Sequence, residues 1–240
     1  MKKFKKALVL FLCAVLLVAG SVAGTLAYLQ AKSEVAQNTF TVGDIVIKLD
    51  ETNIDGVVSG DGVIDGRDLR NEYSGDNKLV PGQPVTKDPT VWVKGTSEPA
   101  YIRMIVTVGE YDQLVEAVSY DSKFINKDMV VLSELVTWDY NTWKFHGFTK
   151  SSDGETGTYE FRYYPNAGIY TASTGENDHG TEYNRLPALF TAINVPAEIS
   201  NTDLAKLANV SINVVAEAIQ AEGFADEAAA WAQWNSTQNP

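Results

Sequence analysis

Cysteine and histidine are both scarce in this 240-residue chain. Cys13 is the only cysteine and lies in an apolar run near the N-terminus, so no disulfide stabilises the rest of the chain, which must be held by packing. Neither His146 nor His179 has the partner histidine four residues away that helical zinc proteases use. No glycine-rich loop ends in Gly-Lys-Ser or Gly-Lys-Thr, the pattern of a phosphate-binding loop. The sequence therefore offers no thiol nucleophile beyond Cys13 and neither of these two motifs.

Positive charge is scarce outside the N-terminus. Four of the 19 basic residues are lysines within the first six positions, and the first acidic residue is Glu34. Residues 28–240 therefore carry 15 basic and 31 acidic residues, a formal net charge of −16. A surface this acidic repels phosphate backbones, which argues against nucleic-acid binding and suits solubility or cation binding.

The N-terminus has the three parts of a signal peptide. The lysines precede an apolar run of 13 residues, Ala7–Ala19, and small residues follow it. This run is shorter than the ~20 residues that cross a bilayer. We therefore predict that residues 1–27 are removed, with cleavage between Ala27 and Tyr28 or, alternatively, after Ala23. The processed protein is then expected outside the cell.

Alternation of apolar and polar residues predicts strands through much of residues 28–240. The predicted strands are Phe40–Leu49, Thr90–Lys94, Tyr101–Val108, Trp138–Phe148, Thr158–Tyr164, Leu189–Val195 and one that starts at Val210. Helices are predicted at Tyr111–Val118, from Asn201 onward and at Asp226–Asn235. Short strands without regular βαβ alternation predict an all-β fold, an Ig-like antiparallel β-sandwich with a few short helices, forming a single domain.

Two further features of this domain are a long acidic loop and a C-terminal helix. Residues 50–83 are rich in Gly, Asp and Asn and predict a loop with room for one short ordered stretch. Asp226 is the expected N-cap of the last helix, and its two tryptophans are expected to dock it onto the sandwich. The expected apolar stripe of this helix is Ala228, Trp231 and Ala232.

The acidic loop contains a candidate calcium site at Asp61, Asp65 and Asp68. Their spacing resembles the second half of an EF-hand loop, but the leading acidic position falls on Val57. A solvated acidic turn is the favoured interpretation, because calcium requires six or more oxygen ligands.

Aromatic residues cluster at Trp138, Tyr140, Trp143 and Phe145. Such a cluster forms either a sugar-binding platform or cross-strand packing in a sheet. Packing is the favoured prediction.

Six segments together are similar to the TasA/camelysin family of exported proteins. They are Gly24–Leu29, Asn38–Ile45, Lys78–Gly82, Lys87–Val91, Ser97–Arg103 and Val214–Ala221. The resemblance implies a jelly-roll-like sandwich at the cell surface and a signal peptide cut after Thr-x-Ala by a SipW-type peptidase, here after Ala27. Relatives build biofilm-matrix fibres in which an N-terminal strand of one subunit completes the sheet of its neighbour. The corresponding donor segment here is Tyr28–Gln37, including Tyr28, Leu29 and Val35.

Three functions follow as alternatives. The first is a secreted, non-enzymatic cell-surface or biofilm-matrix structural protein that needs no cofactor and self-associates by strand addition, with other matrix or surface proteins as further partners. The second is an adhesive or ligand-binding module tuned by calcium at the acidic loop. The third, which the resemblance implies, is a camelysin-type metallo-endopeptidase, for which His146 and His179 are the available histidines.

Overall fold

The structure is a computed structural model, which describes residues 30–33, 45–51, 63–64, 67–68, 79–127, 129–173 and 182–238; for 30–33, 63–64 and 67–68 it describes the backbone alone. The strands are β1 (Gln30–Ser33), β2 (Ile47–Asp50), β3 (Val63–Ile64), β4 (Arg67–Asp68), β5 (Pro84–Thr86), β6 (Thr90–Lys94), β7 (Ala100–Gly109), β8 (Ile125–Asn126), β9 (Met129–Val130), β10 (Val136–Trp138), β11 (Trp143–Lys150), β12 (Thr156–Tyr163), β13 (Ile169–Tyr170), β14 (Tyr183–Arg185), β15 (Phe190–Asn194) and β16 (Ser211–Gln220). The α-helices are α1 (Tyr111–Val118), α2 (Asn201–Lys206) and α3 (Glu227–Gln238), and short 3-10 turns lie at Ser122–Phe124, Leu132–Glu134, Asn166–Gly168 and Leu207–Asn209. None of the helices in these residues is long and apolar enough to cross a membrane.

The largest sheet has six antiparallel strands in the order β1-β16-β7-β12-β11, with β13 pairing the start of β7. The alternation predicted for β7 is confirmed. Its core-facing residues are Ile102, Met104, Val106 and Val108. Arg103 and Ile105 point to the opposite face, because successive side chains of a strand alternate.

Two three-stranded sheets, β14-β6-β2 and β10-β15-β5, form the second layer. They are continuous, because the Leu186 N–H donates to the Val91 carbonyl and the Leu189 N–H to the Pro89 carbonyl, both at 2.9 Å. A single apolar cluster then joins the two layers, with Val91 and Leu189 on one side and Met104 on the other. The protein is therefore an all-β antiparallel sandwich, as predicted.

Helix α1 has the predicted bounds and is anchored by its first residue, Tyr111. The Tyr111 hydroxyl accepts from the Val130 N–H at 2.7 Å and lies 2.8 Å from the Tyr159 hydroxyl, which donates to the Val130 carbonyl at 2.9 Å. Burial raises the pKa of both phenols, so this hydrogen-bonded ring stays protonated. A Cβ at Gly157 would lie 2.3 Å from the Tyr111 ring, so β12 needs glycine there.

The strand predicted at Trp138–Phe148 is interrupted, and this corrects the sequence prediction. A turn at residues 139–142 separates β10 from β11. The Asp139 carboxylate accepts from the Asn141 N–H at 2.9 Å and from the Thr142 hydroxyl at 2.7 Å. An aspartate that replaces backbone hydrogen bonds in this way ends a strand even among aromatic residues. Beyond the turn, β11 pairs with β12 in the predicted hairpin.

Helix α3 begins as predicted but buries a different stripe. The Asp226 carboxylate accepts from the Ala229 N–H at 2.8 Å, which confirms the N-cap. Ala228 and Ala232 are exposed, so two of the three stripe residues are wrong. The buried residues are Ala230, Trp231 and Trp234. Residues three apart share a helix face, so Trp231 and Trp234 lie on the same side of α3. These two large side chains therefore determine which face docks, and the small alanines do not.

The described parts of the predicted loop and first strand are short. Within residues 50–83, strands β3 and β4 pair as a two-residue hairpin, with Val63 opposite Asp68. In the predicted strand Phe40–Leu49, Ile45 and Ile47 lie in the main core, and Val46 between them is buried in a separate cluster with Trp92. Its first half, including Phe40 and Val42, lies outside the described residues.

Candidate functional site

The predicted assembly segment, Tyr28–Gln37, contains the edge strand β1. This strand pairs antiparallel with β16 of the same chain, with Gln30 opposite Ile219 and Ser33 opposite Ala216. Three residues named for this segment, Tyr28, Leu29 and Val35, lie outside the described residues, as does Ala27. The predicted donor segment therefore covers four residues of β16 in its own chain.

Strand β16 is longer than the strand that covers it. It pairs with β7 over all ten residues from Ser211 to Gln220, and with β1 only over residues 216–219. In the part of the chain that the structure describes, no strand pairs with the outer edge of residues 211–215. Such an edge presents N–H and C=O groups that a strand from another chain can satisfy.

The opposite edge of the large sheet, β11, is built differently. Its register shifts between Phe145 and Gly147, so that His146 is an extra residue in a bulge. Both Lys144 and His146 are exposed. Bulges and lysines on an edge strand oppose pairing with a second chain. The β1–β16 edge is therefore the better candidate for assembly.

A buried ion pair supports β16 from the outer face of the sheet. Arg103 is 5% exposed, and its Nε and Nη2 lie 2.8 and 2.7 Å from Glu217 Oε2. Helix α3 covers this pair: the guanidinium carbon lies 4.2 Å from the centroid of the Trp231 ring, and Nη2 donates to the Asn235 side chain at 2.9 Å. The C-terminal helix thus contacts the strand that carries the candidate edge.

An apolar cluster completes the docking of α3. Tyr101 and Ile219 of the sheet pack with Trp231 and Trp234, whose rings meet edge to face at 6.0 Å. Burial, followed by the carboxylates at the start of the helix, raises the pKa of the Tyr101 phenol.

A cleft of about 270 Å³ adjoins this helix. Its lining includes Lys144, Arg162, Tyr164 and Glu227. Arg162 Nε lies 2.6 Å from Glu160 Oε1 and 3.8 Å from Glu227 Oε1. The Lys144 ammonium lies 3.9 Å from the centroid of the Tyr164 ring. The cleft therefore places two cations beside the carboxylate of Glu227 in an otherwise acidic protein.

The predicted calcium residues are only partly described. Asp61 and Asp65 lie outside the described residues, and Asp68 lies in β4 opposite Val63. Calcium binding stays a prediction.

The structure describes only one of the two candidate histidines, His146. His146 is exposed on β11, and His179 lies outside the described residues. Within the described ranges, no group of three or more His, Cys, Asp and Glu residues is placed to hold a metal ion. The metallo-endopeptidase alternative stays a prediction as well.

The four clustered aromatics do not form one exposed platform. Trp143 is fully buried and its indole N–H donates to the Pro187 carbonyl at 2.9 Å. Trp138 packs edge to face on Phe161 at 5.1 Å, and Phe145 contacts the same ring at 5.8 Å. Tyr140 alone is mostly exposed. The prediction of packing is confirmed for Trp138 and Trp143, whereas Phe145 packs on Phe161 and is still 37% exposed.

Sequence reasoning missed the charged residues of the outer face. Arg103 stands between Ile102 and Met104, and Glu217 stands between two alanines in an apolar strand. A charge inside such a run is rarely buried unless it is paired, so each was a detectable signal of a partner. The pairing itself joins positions 114 residues apart, and no local pattern predicts it.

No protein-family model matches this chain, nor does any curated protein or solved structure. The similarity to the TasA/camelysin family therefore stays a resemblance, carried by the six segments named above.

Proposed function

We propose that this protein is an exported, non-enzymatic structural protein of the cell surface or biofilm matrix. Its subunits join when β1 leaves β16 of its own chain and pairs with β16 of a neighbour. The observation that supports this is the position of β1, a four-residue edge strand on a ten-residue partner.

The exchange of β1 costs little free energy, because the contacts that β1 makes with a neighbouring subunit repeat those it makes within its own chain. The same register, with Ala31 opposite Ala218, serves both states. Swapping an identical element between subunits is a low-cost route to association. A head-to-tail swap that does not close into a ring generates a filament.

The opposite edge makes the growth directional. The bulge at His146 and the exposed Lys144 disfavour strand addition at β11. Subunits therefore join through β16 and not through β11. The net charge of −16 on residues 28–240 opposes association, so filaments form more readily as salt screens this repulsion.

A cysteine pair tests the exchange directly, because residues 28–240 contain no cysteine. Residues directly opposite on antiparallel strands lie within disulfide distance. In a mixture of Ala31→Cys and Ala218→Cys chains, we expect oxidation to give disulfide-linked dimers on non-reducing gels. The matched control is Ala31→Cys mixed with Thr149→Cys on β11, for which no such dimer is expected.

The same pair tests filament formation. The double variant, oxidised as a monomer, carries β1 locked on its own β16 and should form no filaments by electron microscopy until a reductant is added. Residues 38–240, which lack the segment, should also fail to assemble. Filaments that persist in either case, or a wild-type protein that stays monomeric at every concentration and salt, would contradict the proposal.

A further inference from the structure

The cleft beside α3 is lined by two cations, Lys144 and Arg162, and by one carboxylate, Glu227, although the domain as a whole is strongly acidic. We propose that it binds the carboxylate of an acidic sugar, held by Arg162 and Lys144 and flanked by Tyr164. The contacts of Arg162 and Lys144 by themselves argue that the bound group is a carboxylate. The further inference that this carboxylate belongs to a sugar rests on the proposed extracellular function.

Arg162 is the central group of the cleft. It is 9% exposed, and within the described residues its polar contacts use Nε: Glu160 at 2.6 Å and Glu227 at 3.8 Å. Its guanidinium carbon lies 6.0 Å from the centroid of the Trp231 ring. None of these contacts uses the two terminal amino groups. A planar pair of such donors matches a carboxylate in a bidentate arrangement.

Lys144 adds a second cation at close range. It lies directly opposite Arg162 in the β11–β12 register. Like charges directly opposite each other on a sheet are destabilising. Glu160 and Glu227 already offset the charge of Arg162, and an anion bound between Arg162 and Lys144 offsets that of Lys144. The ammonium is already positioned by the Tyr164 ring, 3.9 Å from its centroid.

The remaining walls fit a small saccharide. The volume of about 270 Å³ is slightly below the range of drug-sized pockets, ~300–1,000 Å³, and suits a ligand of sugar size. Tyr164 is 53% exposed and offers aromatic surface at the rim. Glu227 already accepts from the Trp231 indole N–H at 3.4 Å and leaves oxygen capacity for a sugar hydroxyl.

One wall of the cleft holds an uncommon backbone conformation. The turn that contains Ala167 and Gly168 has positive φ at Asn166 (53°) and at Ala167 (58°). Such conformations are sparsely populated and cluster at ligand clamps. Ala167 and Gly168 of this turn line the cleft together with Lys144 and Arg162.

Titration calorimetry on residues 28–240 tests the site, with trigalacturonate as the probe. Galactotriose of the same size without carboxylates and inorganic phosphate are the comparison ligands. We expect saturable binding of trigalacturonate, no binding of galactotriose, and at least an order of magnitude weaker affinity for trigalacturonate in Lys144→Gln and Arg162→Lys. Lys123→Gln, which removes an exposed lysine distant in sequence, should bind like the wild type.

Three outcomes would overturn the proposal: no saturable binding by the wild type, unchanged affinity in Lys144→Gln, or binding of phosphate in preference to trigalacturonate. Lys144 is exposed, so its substitution keeps the test valid if Arg162→Lys fails to fold. Electron microscopy of the same samples separates this inference from the proposed assembly. The oxidised Ala31→Cys/Ala218→Cys variant, which should form no filaments, is expected to bind trigalacturonate like the wild type, so a loss of filaments and a loss of binding are independent results.

Discussion

The two faces of the large sheet are buried by different physical means, and the outer face is buried only where helix α3 covers it. The inner face presents residues such as Met104 and Phe161 to a second layer of strands. The outer face presents Arg103 and Glu217, which are both 5% exposed because helix α3 lies over them. Apolar burial by a sheet is general, whereas burial of an ion pair depends on partners at defined distances.

The two faces differ in how strictly they restrict the residues that can occupy them. An apolar face tolerates exchange among residues of similar volume. A buried ion pair contributes little net stability but becomes costly when one partner is removed. We therefore expect the inner face to determine that the sandwich forms, and the outer face to determine where its C-terminal helix docks.

The largest expected effect comes from removing the indole of Trp231, which contacts both the buried ion pair and the apolar cluster under α3. Trp231 is 1% exposed and contacts both Arg103 and Trp234. We expect Trp231→Ala to lower the free energy of unfolding by about 3–5 kcal/mol. Urea unfolding followed by circular dichroism measures this, with the exposed Gln238→Ala as the control. A loss below about 1 kcal/mol would mean that α3 docks without contributing to the cooperative fold.

The ion pair should behave differently from an apolar contact when both members are replaced. We expect Arg103→Met to lower the free energy of unfolding by about 3 kcal/mol, because Glu217 is left buried without its main partner. The double variant Arg103→Met/Glu217→Leu should recover most of that loss. Urea unfolding of both variants supplies the comparison. If the double variant is no more stable than the single one, the pair is not the source of the effect.

The smallest expected effect lies in the polar ring of the inner face. Tyr159→Phe removes the donor to the Val130 carbonyl, at 2.9 Å, and the partner of the Tyr111 hydroxyl. The expected loss is about 1–3 kcal/mol, since buried polar groups are left unsatisfied. Thermal unfolding measures it, and Tyr140→Phe on the exposed turn is the control. An unchanged melting temperature would show that this ring is not needed for stability.

Local patterns predicted much of the sandwich correctly. The bounds of α1 and β6 match the prediction, and the core-facing residues of β7 follow their alternation. Local patterns gave wrong predictions where a side chain hydrogen-bonds to the backbone or contacts residues distant in the sequence. The Asp139 turn breaks an aromatic strand, and the α3 stripe follows two tryptophans. The calcium and histidine predictions fall largely outside the described residues.

The assembly segment and the cleft also differ in how far the sequence predicts them. The assembly segment was predicted from a resemblance, and the structure adds that residues 30–33 pair with their own β16. The cleft could not be predicted, because Lys144 and Arg162 come together only through the β11–β12 register.

The sequence by itself determined which residues alternate, where α1 begins and ends, and that no disulfide joins residues 28–240. These properties depend on neighbours a few positions apart, where strand and helix periods act. Only the tertiary structure decided which strand covers β16, that Arg103 meets Glu217 and Trp231, and that a cleft with two cations and a carboxylate lies beside α3. Those contacts join distant positions, and their free energy exists only once the sheet has formed.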